Sequence, residues 1–158
     1  MSETAATTNP KILARQHLLS EPTCADVTYL AQLWARFEAA HDLPSPDILR
    51  PAELGTVTVR DRAGATGAAF NSGEMSVTRI SVQLPCGAVG HGYVQGRDKD
   101  HARIAAMIDA FVWSGMAALL EQAIMAPIRD RRIGLAEKRA AKAAATKVAF
   151  FTMARGEG

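Results

Sequence analysis

Between Ile104 and Ile124 an apolar side chain recurs every three or four residues, as Ile104, Ile108, Phe111, Val112, Met116, Leu119, Leu120 and Ile124. That spacing puts them on one side of a long helix, and so wide an apolar stripe must be covered by another element. The cover lies upstream, where the period changes to two. Val57 and Val59 alternate with Thr56, Thr58 and Arg60, and Ile80, Val82 and Leu84 alternate with Arg79, Ser81 and Gln83. Alternation predicts half-buried strands. Pro85-Cys86-Gly87 fits a short turn leading into a third strand over about 88–94, so these two strands make an antiparallel hairpin that a strand over about 55–61 joins. The expectation is α+β: a small antiparallel sheet of three or four strands packed against helices, a long central helix, and a basic C-terminal helix followed by an extended tail.

The other elements are read from their ends. Asn9-Pro10 resembles an N-cap with a first-turn proline, predicting a helix to about Ser20 that Glu21-Pro22-Thr23 breaks. Thr23 with Asp26 resembles a capping box for a second helix, whose core side is Val27, Leu30, Leu33, Trp34 and Phe37. Leu43-Pro44-Ser45-Pro46 cannot continue it, so it stops at His41. Residues 63–74 hold three glycines in twelve positions and read as a loop. Ala126-Pro127 ends or kinks the long helix. A last helix over about 130–147, rich in Ala, Lys and Arg with few apolar positions beyond Ile133 and Leu135, has the pattern of a partner-facing arm. Residues 1–8 read as disordered and 148–158 as an extended, partner-docking segment of one domain spanning 1–158.

Charge and cysteine usage exclude several classes. Eighteen Lys and Arg against sixteen Asp and Glu rule out a polybasic nucleic-acid coat and a charged disordered chain. From Ala126 onward, however, eight basic side chains face three acidic ones, so an anion or acidic partner would look there. Cys24 and Cys86 are far apart with no Cys-x-x-Cys spacing, and are expected as small buried hydrophobes in a reducing compartment. The N-terminus lacks a signal pattern and no uninterrupted run of about eighteen apolar residues occurs, so neither secretion nor a membrane span is expected and the address is cytoplasmic.

The densest chemical cluster is His91-Gly92-Tyr93-Val94-Gln95-Gly96-Arg97-Asp98-Lys99-Asp100-His101, which runs from a strand through a glycine into a helix start. Unpaired N–H groups there, with Arg97 and Lys99 beside them, suit a phosphate. The competing reading makes Asp98 an N-cap and leaves both cations solvated. No Walker A run and no dinucleotide fingerprint is present, and His91 and His101 lack metal-ligand spacing, so no metal site is expected. Glu53 and Glu74 with Arg79 flank the glycine-rich loop, where they either ion-pair and hold it or bind a ligand. Spacing alone names no reaction.

Four blocks nevertheless resemble one family in order and spacing. They are Arg50-Pro51-Ala52-Glu53-x-Gly55; Gly64-x-Thr66-Gly67-Ala68-x-Phe70-Asn71-x-Gly73-Glu74-Met75-x-Val77-Thr78-Arg79; Gly90-His91-x-Tyr93-Val94-x-Gly96-Arg97-Asp98-Lys99; and Phe150-Phe151-Thr152-Met153-x-Arg155-Gly156-Glu157. The chain resembles the PhnG family from about Arg15 to Glu157. It departs at Ala65, where the family's loop often has a second glycine, and at Leu54, where a hydroxyl residue is common.

The resemblance implies a subunit of the bacterial carbon–phosphorus lyase machinery, acting with PhnH, PhnI and PhnJ in a symmetric hetero-oligomeric core complex without nucleic acid or membrane. It implies a part in the step where methylphosphonate displaces adenine from ATP, giving α-D-ribose 1-methylphosphonate 5-triphosphate. MgATP is then a substrate of the complex, and no cofactor is held by this chain alone; the nucleosidase activity is associated with PhnI. The later radical cleavage belongs to PhnJ with its iron–sulfur cluster and S-adenosylmethionine. Two cysteines here could not ligate such a cluster. On that footing Arg79, Arg97, Lys99 and His101 are candidates for phosphate binding, Glu53, Gly67 and Glu74 for organising the loop, and Phe150, Phe151, Met153 and Arg155 for docking. The chain would be mainly a scaffold or co-catalytic subunit, alternatively a direct contributor of phosphate-binding residues, and more remotely a free-standing anion-binding protein. Its own catalytic residues are unassigned.

Overall fold

A computed structural model describes residues 10–64 and 67–146. In chain order the elements are α1 (Pro10–Thr23), α2 (Val27–Ala40), β1 (Asp47–Arg62), β2 (Ala69–Gln83), β3 (Val89–Gln95), α3 (Lys99–Phe111), α4 (Ala117–Leu120) and α5 (Ala126–Ala145). A kink at Gly115 within Val112–Met116 and a π-helical turn at Glu121–Met125 link the last three into one bent run of 47 residues. The sheet has the order β1-β2-β3 with both pairings antiparallel, which is the α+β arrangement expected.

The alternation in β2 and β3 decides which face is covered. Thr78, Ile80 and Val82, with Gly90, Gly92 and Val94 opposite them, face α3 and are buried. At Gly90 and Gly92 helix and strand meet backbone to backbone: a Cβ at Gly90 would lie 2.0 Å from the Ala106 carbonyl oxygen, and one at Gly92 1.9 Å from that of Ala102. The alanines 102, 105, 106 and 110 keep the helix surface shallow enough for this approach. Beyond α3 the core is closed by Leu30, Leu33, Trp34 and Phe37 of α2 and by Leu120, Ile124, Met125 and Ile128. The most apolar 18-residue window of the long helix would suit a bilayer by length and composition, but 50% of it is buried inside the protein, because this helix is what the core is built on.

Several expectations change in the fold. Half of the glycine-rich stretch, from Ala69 on, is strand: β1 and β2 pair from Asp47↔Gln83 out to Arg62↔Ala69, whereas β3 pairs only with Val77–Gln83. The outer half of this hairpin is therefore a two-stranded arm, exposed on both faces, so the alternation of Val57 and Val59 marks a strand as expected but not a half-buried one: the two are 36% and 40% exposed. Of the expected loop, only the connection between Arg62 and Ala69 is left. Pro22 lies inside α1, one residue from its C-terminal end, instead of beyond it, so the hydrogen bond that its missing N–H forfeits is one in the last turn. Asp26, not Thr23, caps α2, accepting from Tyr29 N at 2.9 Å, while the Thr23 hydroxyl donates back to the Leu19 carbonyl. Val27, in the first turn beside that cap, is 37% exposed.

Pro127 does not end the long helix, since the π turn before it absorbs the lost hydrogen bond and α5 starts at Ala126 instead of about 130. The bend lies earlier, at Gly115 with φ +98°, and it rotates Leu119 out of the stripe to 45% exposure. Cys24 and Cys86 are both exposed, because each sits in a connection and not on a core-facing element. The expected features of residues 1–8 and 148–158, including Phe150, Phe151, Met153 and Arg155, lie outside the described residues.

Asp98 caps α3, with its carboxylate accepting from His101 N at 2.9 Å. Replacing Asp98 by Ala is expected to cost about 1 kcal/mol, read as a lower urea midpoint at unchanged slope. An unmoved midpoint would show that the cap does not hold the helix start.

Candidate functional site

The β3–α3 connection is fastened to β2 by two hydrogen bonds: Gly96 N–H donates to the Ser76 carbonyl and the Thr78 hydroxyl donates to the Gly96 carbonyl, each at 2.8 Å. This fixes Arg97 against the helix-side face of the hairpin. There Arg97 lines an open cavity of about 320 Å³ with Leu54, Gly55, Thr56 and Ser76. Thr56 and Ser76 are cross-strand partners, so a pair of hydroxyl-bearing residues and a guanidinium line one recess next to the α3 N-terminus. Donors of that kind suit an anion. Lys99, in the first turn of α3, belongs to the same end of the molecule and is exposed.

The other two cationic candidates are elsewhere. His101 is buried, and its Nε2 lies 2.8 Å from the Pro22 carbonyl oxygen, so the ring joins α3 to the C-terminal end of α1. Arg79 lies on the opposite face of the sheet from Arg97. Its guanidinium pairs with Glu53 at 3.2 Å, and the two are direct cross-strand partners in the middle of the sheet, not across the loop. Both are substantially exposed, and such a pair contributes about 1 kcal/mol at most. Glu74 stands opposite Thr58 on the arm, with no ion pair among the described residues. Gly67 packs in the turn, where a Cβ would meet the Ala63 carbonyl oxygen at 2.2 Å.

Three clusters escape a reading by spacing. Asp109 is fully buried on α3; its carboxylate accepts from Arg15 Nε at 2.8 Å, from a second Arg15 nitrogen, and from His91 N–H at 2.8 Å. The only signal along the chain is an acid inside an apolar stripe. Arg129 bridges Glu21 and Glu121, each at 3.0 Å, tying α1 to α5, and the hydrogen bonds to these carboxylates, Glu21 foremost, raise the guanidinium above its ordinary pKa. Ser81 Oγ and His91 Nδ1 are 2.9 Å apart on the face of the sheet away from α3. Their pairing follows from the turn, because a hairpin closed by Leu84 and Ala88 must set Ser81 opposite His91.

Among the described residues no group of three or more His, Cys, Asp and Glu side chains is gathered as a metal ion would require. The recess at Arg97 is open. The site can bind and orient a charged group.

The sequence profile described as phosphonate metabolism protein PhnG matches residues 13–156. A relative from Rhizobium meliloti (strain 1021), named alpha-D-ribose 1-methylphosphonate 5-triphosphate synthase subunit PhnG, is 39% identical over 128 residues, which cover 81% of this chain and 82% of the relative. The profile match takes in β1, the arm, the β2–β3 hairpin and the whole helical run. The chain belongs to the PhnG family of phosphonate metabolism proteins.

Proposed function

We propose that this chain is the PhnG subunit of α-D-ribose 1-methylphosphonate 5-triphosphate synthase, working as a scaffold and co-catalytic subunit while methylphosphonate displaces adenine from MgATP in the cytoplasm. The carrying observation is the family match over residues 13–156, joined to a relative that is itself named a subunit. A scaffold role is favoured by the surfaces left uncovered. The arm exposes Val57, Val59 and Phe70, Leu54 in the three-stranded part of the sheet is exposed as well, and α5 has Ile128 as its sole buried residue. A two-stranded ribbon is marginal in water, and exposed apolar groups of this kind suit docking on neighbouring subunits. PhnH, PhnI and PhnJ are the partners proposed for a symmetric core complex.

A second reading is favoured by the recess itself: Arg97, with Thr56 and Ser76, supplies a phosphate contact directly to a shared active site. A free-standing anion-binding protein fits less well, since the recess is too open to enclose a ligand alone. Co-expression with PhnH, PhnI and PhnJ, followed by gel filtration and an adenine-release assay with MgATP and methylphosphonate, separates these. Co-elution, with phosphonate-dependent adenine release lost when this chain is omitted, is the expected result. Free elution with turnover unaffected by its omission would overturn the assignment. In the assembled complex, Arg97→Glu lowers turnover at least tenfold if the second reading holds and leaves it intact if the chain only scaffolds.

A further inference from the structure

The sheet has a second face, and β1, β2 and β3 each deliver polar side chains to it. Cross-strand partners share a face, so Arg50, Ser81 and His91 form one row, and Glu53, Arg79 and Tyr93 form the next. The helices pack on the other side, against Ile80 and Gly92. Arg50, Arg79, His91 and Tyr93 are exposed, and Arg50 has no ion pair among the described residues. These residues come from three separate stretches of sequence, and only the register brings them together.

We propose that this face binds a polyphosphate, with Arg50, Arg79 and His91 as its donors and Ser81 as the group that orients His91. Neighbouring strands lie about 4.8 Å apart and the two rows about 7 Å apart. Donors spread over that area exceed what a single phosphonate group could touch, and they fit a chain of two or three phosphates. Ser81 Oγ at 2.9 Å from His91 Nδ1 fixes the ring plane. When the Ser81 hydroxyl donates to Nδ1, the ring proton sits on Nε2 and is presented away from Ser81. Glu53 holds Arg79 across the face, and an exposed pair of this kind exchanges readily for phosphate oxygens. Arg97 lies on the opposite face, so this is a different surface from the recess. The inference rests on the proposed function, because the triphosphate it would hold is that of the synthase's nucleotide substrate or product.

The test uses the co-purified complex. Inorganic tripolyphosphate and methylphosphonate are titrated by calorimetry against the wild type, Arg50→Gln/Arg79→Gln and His91→Asn. In parallel, Arg50 and Arg79 are followed by mass spectrometry for protection from phenylglyoxal. Tripolyphosphate is expected to bind, to compete with MgATP and to protect both arginines, and the double variant to lose at least tenfold in affinity while still co-eluting. Ser81→Ala should weaken binding less than His91→Asn does. Tripolyphosphate affinity within twofold of wild type in the assembled double variant, or no protection in the wild type, overturns the proposal. Protection by methylphosphonate but not by tripolyphosphate overturns it in favour of a single-anion site. Failure of every variant to assemble identifies the face as a protein interface and also overturns it. Wild-type adenine release is the separate arm: its absence would undo the functional assignment, while its presence with unprotected arginines undoes this inference alone.

Discussion

Gly92→Ala is expected to cost about 3 kcal/mol or more, because the added methyl group has no direction in which to yield. Its Cβ would stand 1.9 Å from the Ala102 carbonyl oxygen and 2.9 Å from that carbonyl carbon, with Ile80 Cγ2 at 3.0 Å. The obstructing atoms are backbone of α3, the best packed helix, so relief requires the helix to leave the sheet. Lifting α3 would open the core at Ile104, Ile108 and Phe111 as well. Set against a typical domain stability of about 5–15 kcal/mol, that is a large fraction, and soluble yield should fall with it. Gly73→Ala serves as the comparison, since nothing lies within 4 Å of its Cβ position, and it should stay within about 0.5 kcal/mol. Equal urea midpoints for the two variants would refute the close approach of β3 and α3.

Asp109→Ala should be comparably damaging, by about 3–5 kcal/mol, through charge instead of volume. One carboxylate receives three N–H groups, two from the Arg15 guanidinium and one from the His91 backbone. Removing it strands a partly buried cation and an edge-strand donor together, and loosens α1 from α3 and β3. Asp109→Asn keeps the shape and one acceptor but not the charge, so its loss should be smaller. The Arg15→Ala/Asp109→Ala double variant should cost clearly less than the sum of the single ones, since each single change leaves the other group unpaired. Strict additivity of melting shifts would show that the two side chains act independently.

Neither Gly92 nor Asp109 announces its role along the chain, whereas the features carried by neighbouring residues do. The 3.6-residue period from Ile104 to Ile124, the two-residue period around Val82, and the Pro85-Cys86-Gly87 turn are local patterns. Each survives as α3 with its continuation, as β2, and as the hairpin into β3. Asp98 capping α3 is equally legible, because a cap bonds within three residues. The arm is only half legible, since Val57 and Val59 alternate along β1 whereas on the β2 side a run with three glycines imitates a loop. Thr23 and Asp26 compete for one cap, and only the backbone path chooses between them. The recess at Arg97 is half visible: the cation and helix start are adjacent in sequence, whereas Thr56 and Ser76 reach it across β1 and β2.

By itself, then, the sequence determined element types, the long central helix, the hairpin and the family, because all of these are carried by residues close together or by ordered blocks along the chain. The tertiary structure decided which glycines touch a helix, that Asp109 meets Arg15 across 94 positions, and that Arg79 and Arg97 lie on opposite faces of one sheet. Those outcomes depend on register and on the distance between two backbones, and the side-chain alternation of a strand turns a single step of register into a change of face.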